Sequence, residues 1–283
     1  MGGLDVLFHG LRGQSYRDFE LVLADGVMAY RGHQRLAAEV NWSPRTLNHA
    51  GGVTHAHPEP NPFPVQAYCA FANAGLRAAA GDLCILVADY TWLPPDCLAR
   101  HAAFHEANPD PGRGVMGPHF NVVHPELHPA FPRYGDRLLD SSLREYEADV
   151  RTGRLDAFGW SVFAEPFGQD ASKMELCPWL GRADPKTGMR SGPVDRNMLH
   201  LKNESFKTAR IREVGGLNED MDGSTCWQDS ELADALGVAW TLDAENPAYV
   251  VNPRALFPLS RRIRPEGSNE ALWRRGRGSK RWI

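Results

Sequence analysis

Apolar and polar positions along this chain fall into two rhythms. Leu4, Leu7, Phe8 and Leu11 recur at helical spacing, and residues 19–23 then read as a strand ending at Ala24-Asp25-Gly26. A short helix is expected over 33–40 and a short strand over 51–55. Pro58, Pro60, Pro62 and Pro64 forbid helix or central strand between them. The Ala-rich stretch 65–80 predicts a helix stopped by Gly81, and the apolar run that starts at Leu83 predicts a buried strand over 83–87. Asp96 is expected to cap a helix over 97–107. Residues 108–154 look irregular, with one helical stretch over 138–150. Residues 156–190 set Phe158, Trp160, Phe163, Phe167 and Trp179 among glycines and prolines, as in a loop region that shapes a pocket. Short helices over 207–214 and 229–236 are closed by Gly215-Gly216 and Gly237, and 240–242 and 249–251 read as late strands. Strands alternating with helices predict an α/β fold with a mostly parallel central sheet flanked by helices. In such sheets ligands sit beyond the carboxyl ends of the strands. Asp25 and Asp89 both follow such ends.

Composition narrows the class. With 42% hydrophobic residues over 283 positions, the chain can bury a core without disulfide or metal staples. No apolar run approaches the roughly 18 residues needed to span a bilayer, and no basic-then-apolar leader opens the chain. The five cysteines are odd in number and contain no C-x-x-C, which points to a reduced, cytoplasmic setting. The net charge of −4 hides an asymmetry: from Arg254 onward nine Arg/Lys face two Glu, a net of +7, which leaves −11 on the rest. A basic tail on an acidic body implies an anionic partner such as a diphosphate, a membrane surface to which the chain is peripheral, or a nucleic acid. No nucleic-acid motif accompanies it. His101 and His105 stand four apart on a helix, a zinc-compatible spacing, but no third ligand of matching type is near.

Three segments, in order, carry recognisable motifs. Residues 11–26 match a helix leading into a strand that ends in D-D-G. Residues 73–82, followed by a strand and Val87-Ala88-Asp89, match an N-x-G-x-x-x-A-x-G helix and a D-x-D loop. Asn203-Glu204-Ser205, Val214-Gly215-Gly216-Leu217-Asn218-Glu219 and Trp227-Gln228-Asp229-Ser230-Glu231-Leu232 match N-x-S, V-G-G-F-x-E and E-D-x-E-L. In this order and spacing the segments resemble the family 2-like glycosyltransferases of the GT-A fold, with three departures. The family's first strand has no counterpart, so the chain is expected to start inside the opening helix. In each of the three acid pairs only the second acid is kept, the first being Ala24, Val87 and Gln228. The processive Q-x-x-R-W signature is absent.

The resemblance implies roles. Asp25 would contact the base or ribose of a nucleoside-diphosphate sugar, a UDP-sugar being favoured. Asp89 would ligate a divalent cation, Mn²⁺ or Mg²⁺, weakly bound because its partner acid is missing. Asn73 would lie on the donor side, and Asn203 and Trp227 on the acceptor side. Asp229 would be the general base of an inverting transfer to an acceptor hydroxyl, the acceptor being a saccharide, a glycolipid or another hydroxyl compound. The expected organisation is one domain over 1–255, its donor half reaching to about residue 115 and its acceptor half covering 116–255, with a basic tail over 256–283. The alternative is a catalytically degenerate domain of this fold that binds a nucleotide sugar or glycan without turnover, which the three lost acids favour.

Overall fold

A computed structural model describes residues 7, 10–11, 13–24, 53–56, 68–88, 91–122, 174–176, 191–194, 202–223, 227–251, 268–278 and 281–283. The expectations for 33–40, 58–64, 138–150 and most of 156–190 lie outside these residues. The described elements are β1 (Leu21–Ala24), β2 (Val53–Ala56), α1 (Tyr68–Ala78), β3 (Leu83–Leu86), β4 (Thr91–Trp92), α2 (Cys97–Ala107), β5 (Arg113–Met116), β6 (His119–Val122), β7 (Met174–Leu176), β8 (Gly192–Pro193), β9 (Glu204–Lys207), α3 (Thr208–Glu213), α4 (Gln228–Leu236), β10 (Ala239–Leu242), β11 (Ala248–Val251) and α5 (Ser268–Arg275). A single turn of 3₁₀ helix spans Glu219–Met221.

The strands form a five-stranded sheet in the order β3-β9-β5-β10-β8, a four-stranded sheet in the order β4-β11-β6-β7, and the pair β1-β2. The expected α/β architecture is present. The direction of its strands differs from the expectation: β1-β2, β5-β10 and β6-β11 run parallel, while β9 runs antiparallel to both β3 and β5. The sheet is therefore mixed. An alternating pattern marks crossovers only where a helix separates neighbouring strands. β9 enters between β3 and β5 from far along the chain, so local pattern carries no information about its direction. β3 is half-buried along its whole length, not buried as its apolar run predicted, because among the described residues it is an edge strand of its sheet.

The main core gathers Met116, Phe206, Ile211, Leu217, Met221, Leu232, Leu236, Trp240 and Leu242 between β5-β9-β10 and the helices α3 and α4. Each fully buried side chain of this size contributes roughly 1.5–3 kcal/mol. Phe206 meets Trp240 edge-on, with centroids 6.2 Å apart at 88°. Gly114 makes room for that indole, since a Cβ there would come within 2.6 Å of the Trp240 ring. A second cluster, Leu7, Leu11, Leu93, Cys97, Leu98 and Ala248, packs Leu21, Leu23, Ile85 and Val87 beneath α2.

Two helix starts are capped from a distance. Asp96 does not cap α2. It sits at φ −99°, ψ 7° with no side-chain cap bond, and its carboxylate accepts from Ser15 Oγ at 2.7 Å. Gln14, fully buried, takes over: its Oε1 accepts the Leu98 N–H at 3.0 Å, and its amide nitrogen donates to the carbonyls of Gly10 and Pro94. At the start of α1 the buried Asp222 carboxylate accepts the N–H groups of Cys69 and Ala70 at 2.8 and 3.1 Å. Both remote caps satisfy amides that a helix start leaves without partners.

Candidate active site

The expected donor side lies at strand ends. β1 stops at Ala24 and β3 at Leu86. Asp25 and Asp89, the residues expected to touch donor and metal, lie outside the described residues. The helix between these strands, α1, lies close on β1: a Cβ at Gly75 would stand 3.2 Å from Ala24 Cβ and 3.7 Å from Val22 Cγ1. Gly75 thus seats the helix against the strand that leads to Asp25.

Asn73 is fully buried on α1 and its amide is spent. Nδ2 donates to Leu217 O at 2.9 Å and to Glu219 Oε1 at 2.8 Å, and Oδ1 accepts the Leu217 N–H at 2.8 Å. The side chain therefore joins α1 to the glycine turn after α3. That turn leaves no space for a larger residue, because a Cβ on Gly216, at φ +80°, would fall 2.5 Å from Asn73 Oδ1.

Asn203 is also fully buried. Its Nδ2 donates to Asn246 O at 2.7 Å, and its Oδ1 lies 3.0 Å from His101 Nε2. A carbonyl only accepts, so Asn203 presents its nitrogen to Asn246 and its oxygen to His101, which fixes the His101 proton on Nε2. His101 Nδ1 then accepts from Ser205 Oγ at 2.8 Å, and Ser205 Oγ accepts from His105 Nε2 at 3.0 Å. A directional chain runs from His105 through Ser205 and His101 to Asn203. The two histidines are thus pins between α2 and β9. Burial pushes both imidazoles below their usual range, His105 to about 4, with Lys207 as a second cause there. His105 Nδ1 is buried with no hydrogen-bond partner among the described residues.

Trp227 and Asp229 stand together at the start of α4. The helix begins at Gln228, one residue before the expected start, so Asp229 sits inside the first turn with Trp227 at the cap position. Asp229 is partly exposed, and its Oδ1 accepts the Ser230 N–H at 3.0 Å. A carboxylate there lies where the N–H groups of a helix attract negative charge. Trp227 holds φ 71°, alone among described non-glycine residues in having positive φ. Such a conformation costs on the order of 1–3 kcal/mol and persists only where its surroundings enforce it. Those surroundings are the core on one side and the Trp273 ring of α5, stacked at 4.8 Å and 19°.

The basic C-terminal segment is packed where it is described. Arg277 and Glu231 form a buried pair, their side chains 11% and 4% exposed. Nε of Arg277 donates to Glu231 Oε1 at 2.6 Å and Nη2 to Oε2, while Nη1 donates to the carbonyls of Val214 and Gly216 at 2.9 and 2.7 Å. Trp282 donates its N–H to Gly215 O at 2.8 Å, and Arg281 donates to Arg212 O at 2.7 Å. Between this segment, α3 and α4 lies an open cavity of about 580 Å³, bordered by Glu213, Asp234, Trp273 and Arg281.

The structure thus keeps Trp227 and Asp229 together at the start of α4 and places Asn73 and Asn203 in two separate buried hydrogen-bond networks. Sequence reading missed Gln14, Asp222 and the Glu231–Arg277 pair as organising groups. Gln14 and Glu231 stood inside the quoted motifs, and Asp222 carried no local signal. Among the described residues, no group of three His, Cys, Asp or Glu could hold a metal ion. Among them, too, no helix is long and apolar enough to cross a membrane.

No protein-family model matches the chain, and no curated protein matches it in sequence. Solved structures do match in shape. S. aureus TarS, a glycosyltransferase of the GT-A fold, superposes with a TM-score of 0.51 at 12% identity, over 89% of this chain and 35% of that one. TarS 1–349 in complex with UDP gives 0.51 at 13% identity, over 89% of this chain and 58% of that one. The same fragment in complex with UDP-GlcNAc gives 0.52 at 12% identity, over 88% and 55%. The chain therefore spans about a third of the full TarS chain and just over half of the fragment. At these identities the likeness establishes the fold, which is GT-A-like.

Proposed function

We propose that this chain is a nucleotide-sugar glycosyltransferase, similar to family 2, that transfers a sugar from a UDP-sugar to an acceptor hydroxyl with inversion. The observation that carries the reading is a coincidence. The fold matches structures solved with UDP and UDP-GlcNAc, and on that fold the three motif segments fall on β1, on α1-β3 and on β9 through α4.

In this reading the Asp229 carboxylate takes the proton of the acceptor hydroxyl. The acceptor oxygen forms a bond to the anomeric carbon as the bond from that carbon to the diphosphate oxygen breaks, and the diphosphate departs with the electron pair. Asp25 binds the base or ribose. A divalent cation bound through Asp89 would offset the charge of the diphosphate. Trp227 borders the acceptor side, held there by its stack on Trp273. Asn73 and Asn203 serve from behind, by fixing the turn after α3 and the start of β9.

Asp229→Asn tests the reading. Removing a general base lowers turnover by about 10²–10⁴-fold. The expected result is that loss in UDP release from UDP-GlcNAc, with UDP binding kept. A parent chain that binds UDP but turns nothing over would instead favour a binding domain, in line with the acids lost at Ala24, Val87 and Gln228.

A further inference from the structure

We infer that Arg277 is a positioning residue: it straps the Asp229-bearing helix α4 to the turn after α3 and, through that turn, to the donor-side helix α1. Each link is a hydrogen bond already described. Glu231, two residues beyond Asp229, gives both carboxylate oxygens to Arg277. The third face of the guanidinium holds Val214 O and Gly216 O. The next residue of that turn, Leu217, is held at both N–H and carbonyl by Asn73 of α1.

The strap is not redundant with core packing. Leu232, Ala233 and Leu236 bury one face of α4, whereas Glu231 and Asp234 lie on another face of the helix, toward the C-terminal segment. α5 grips that same side through Trp273, whose indole N–H donates to Asp234 Oδ2 at 2.8 Å and whose ring stacks on Trp227. The strained cap of α4 and its second turn are thus both held by residues 268–278. A lysine in place of Arg277 cannot reproduce a planar bidentate contact together with two carbonyl contacts. The role given to Asp229 rests on the transferase reading; the strap does not.

Hydrogen exchange on the full chain separates the two. The variants are Arg277→Ala and Arg277→Lys, the second guarding against failure of the first to fold. Leu98→Ala, in the other core cluster, serves as a control of similar global cost. In both Arg277 variants, amides of residues 229–236 should exchange at least about tenfold faster relative to those of α2, and in Leu98→Ala the ratio should move the other way. If α4 amides accelerate no more than those of α2, the strap is overturned, whatever the activity. With UDP-GlcNAc as the probe, Arg277→Lys should lower kcat for UDP release and leave the Kd for UDP within about twofold. Unchanged kcat with weakened UDP binding would overturn the positioning role. A parent chain that binds no UDP would remove the transferase reading alone, and the exchange ratio would still decide whether Arg277 holds α4.

Discussion

The two buried polar assemblies of this molecule solve the same problem with opposite chemistry. On one side of the sheet, His105, Ser205, His101, Asn203 and Asn246 pass neutral hydrogen bonds from α2 to β9 and on to the loop before β11. On the other, Glu231 and Arg277 close an ion pair over the glycine turn. The neutral chain works only while its imidazoles stay uncharged. The ionic clasp works only while both partners are present, since desolvating a lone charge costs more than the pair returns. Neutral atoms hold a sheet to a helix, and charged atoms hold the helix that carries Asp229. Loss of one member strands buried polar atoms in the neutral chain and leaves an unpaired charge in the ionic one, and the second is the costlier.

The largest effect should come from breaking the clasp. Arg277→Ala leaves Glu231 buried and charged and should cost about 3–5 kcal/mol in chemical denaturation. A cost below about 1 kcal/mol would place the pair with surface ion pairs and erase the contrast. The acid response comes next. Both imidazoles titrate below the 6.5 of an unfolded histidine, so the unfolded chain takes up protons first as pH falls. The contribution of His105 is complete above pH 6.5 and is lost as pH falls toward about 4, at up to about 1.4 kcal/mol per pH unit, and that of His101 is lost in the same direction. His105→Leu should flatten that slope by one histidine's share, measured by denaturation at a series of pH values. An unchanged slope would mean that the network does not sense acid.

Ser205→Ala removes the middle of the neutral chain and strands one nitrogen on each ring, for an expected cost of about 1–3 kcal/mol. The smallest effect belongs to the partly exposed pair of Arg100 with Asp243 and Glu245. Arg100→Ala should cost only about 0.2–1 kcal/mol, which sets the floor for the comparison.

Much of this was legible in the pattern of residues. Helices over 97–107 and 229–236, the glycine stops at Gly215-Gly216 and Gly237, and the strand ending at Ala24 all follow from local periodicity and capping, and the structure keeps them to within a few residues. What stayed illegible depends on distant partners. Asp96 has the right chemistry for a cap, but Gln14, 84 residues from Leu98, does the capping. Asp222 reads as an ordinary loop acid until α1 is laid across it, 153 residues away. The direction of β9 and the half-buried state of β3 come from sheet order, which no local window contains. Nor does composition reveal that, within the basic segment, Arg277 pairs with Glu231 and Arg274 with Glu270. The motifs also give no sign that Asn73 and Asn203 are fully buried and hydrogen-bonded within the chain.

Whether the chain binds a nucleotide sugar is tested most directly by a thermal-shift titration of the full chain with UDP, UDP-GlcNAc and other nucleoside diphosphates, with and without Mn²⁺. At about a hundred times Kd, a bound nucleotide adds about 2.7 kcal/mol. For a chain of this length that raises Tm by roughly 4–5 °C. The transferase reading predicts such a rise with uridine nucleotides, larger when Mn²⁺ is present. A folded chain whose Tm moves with no nucleotide or nucleotide sugar would contradict it.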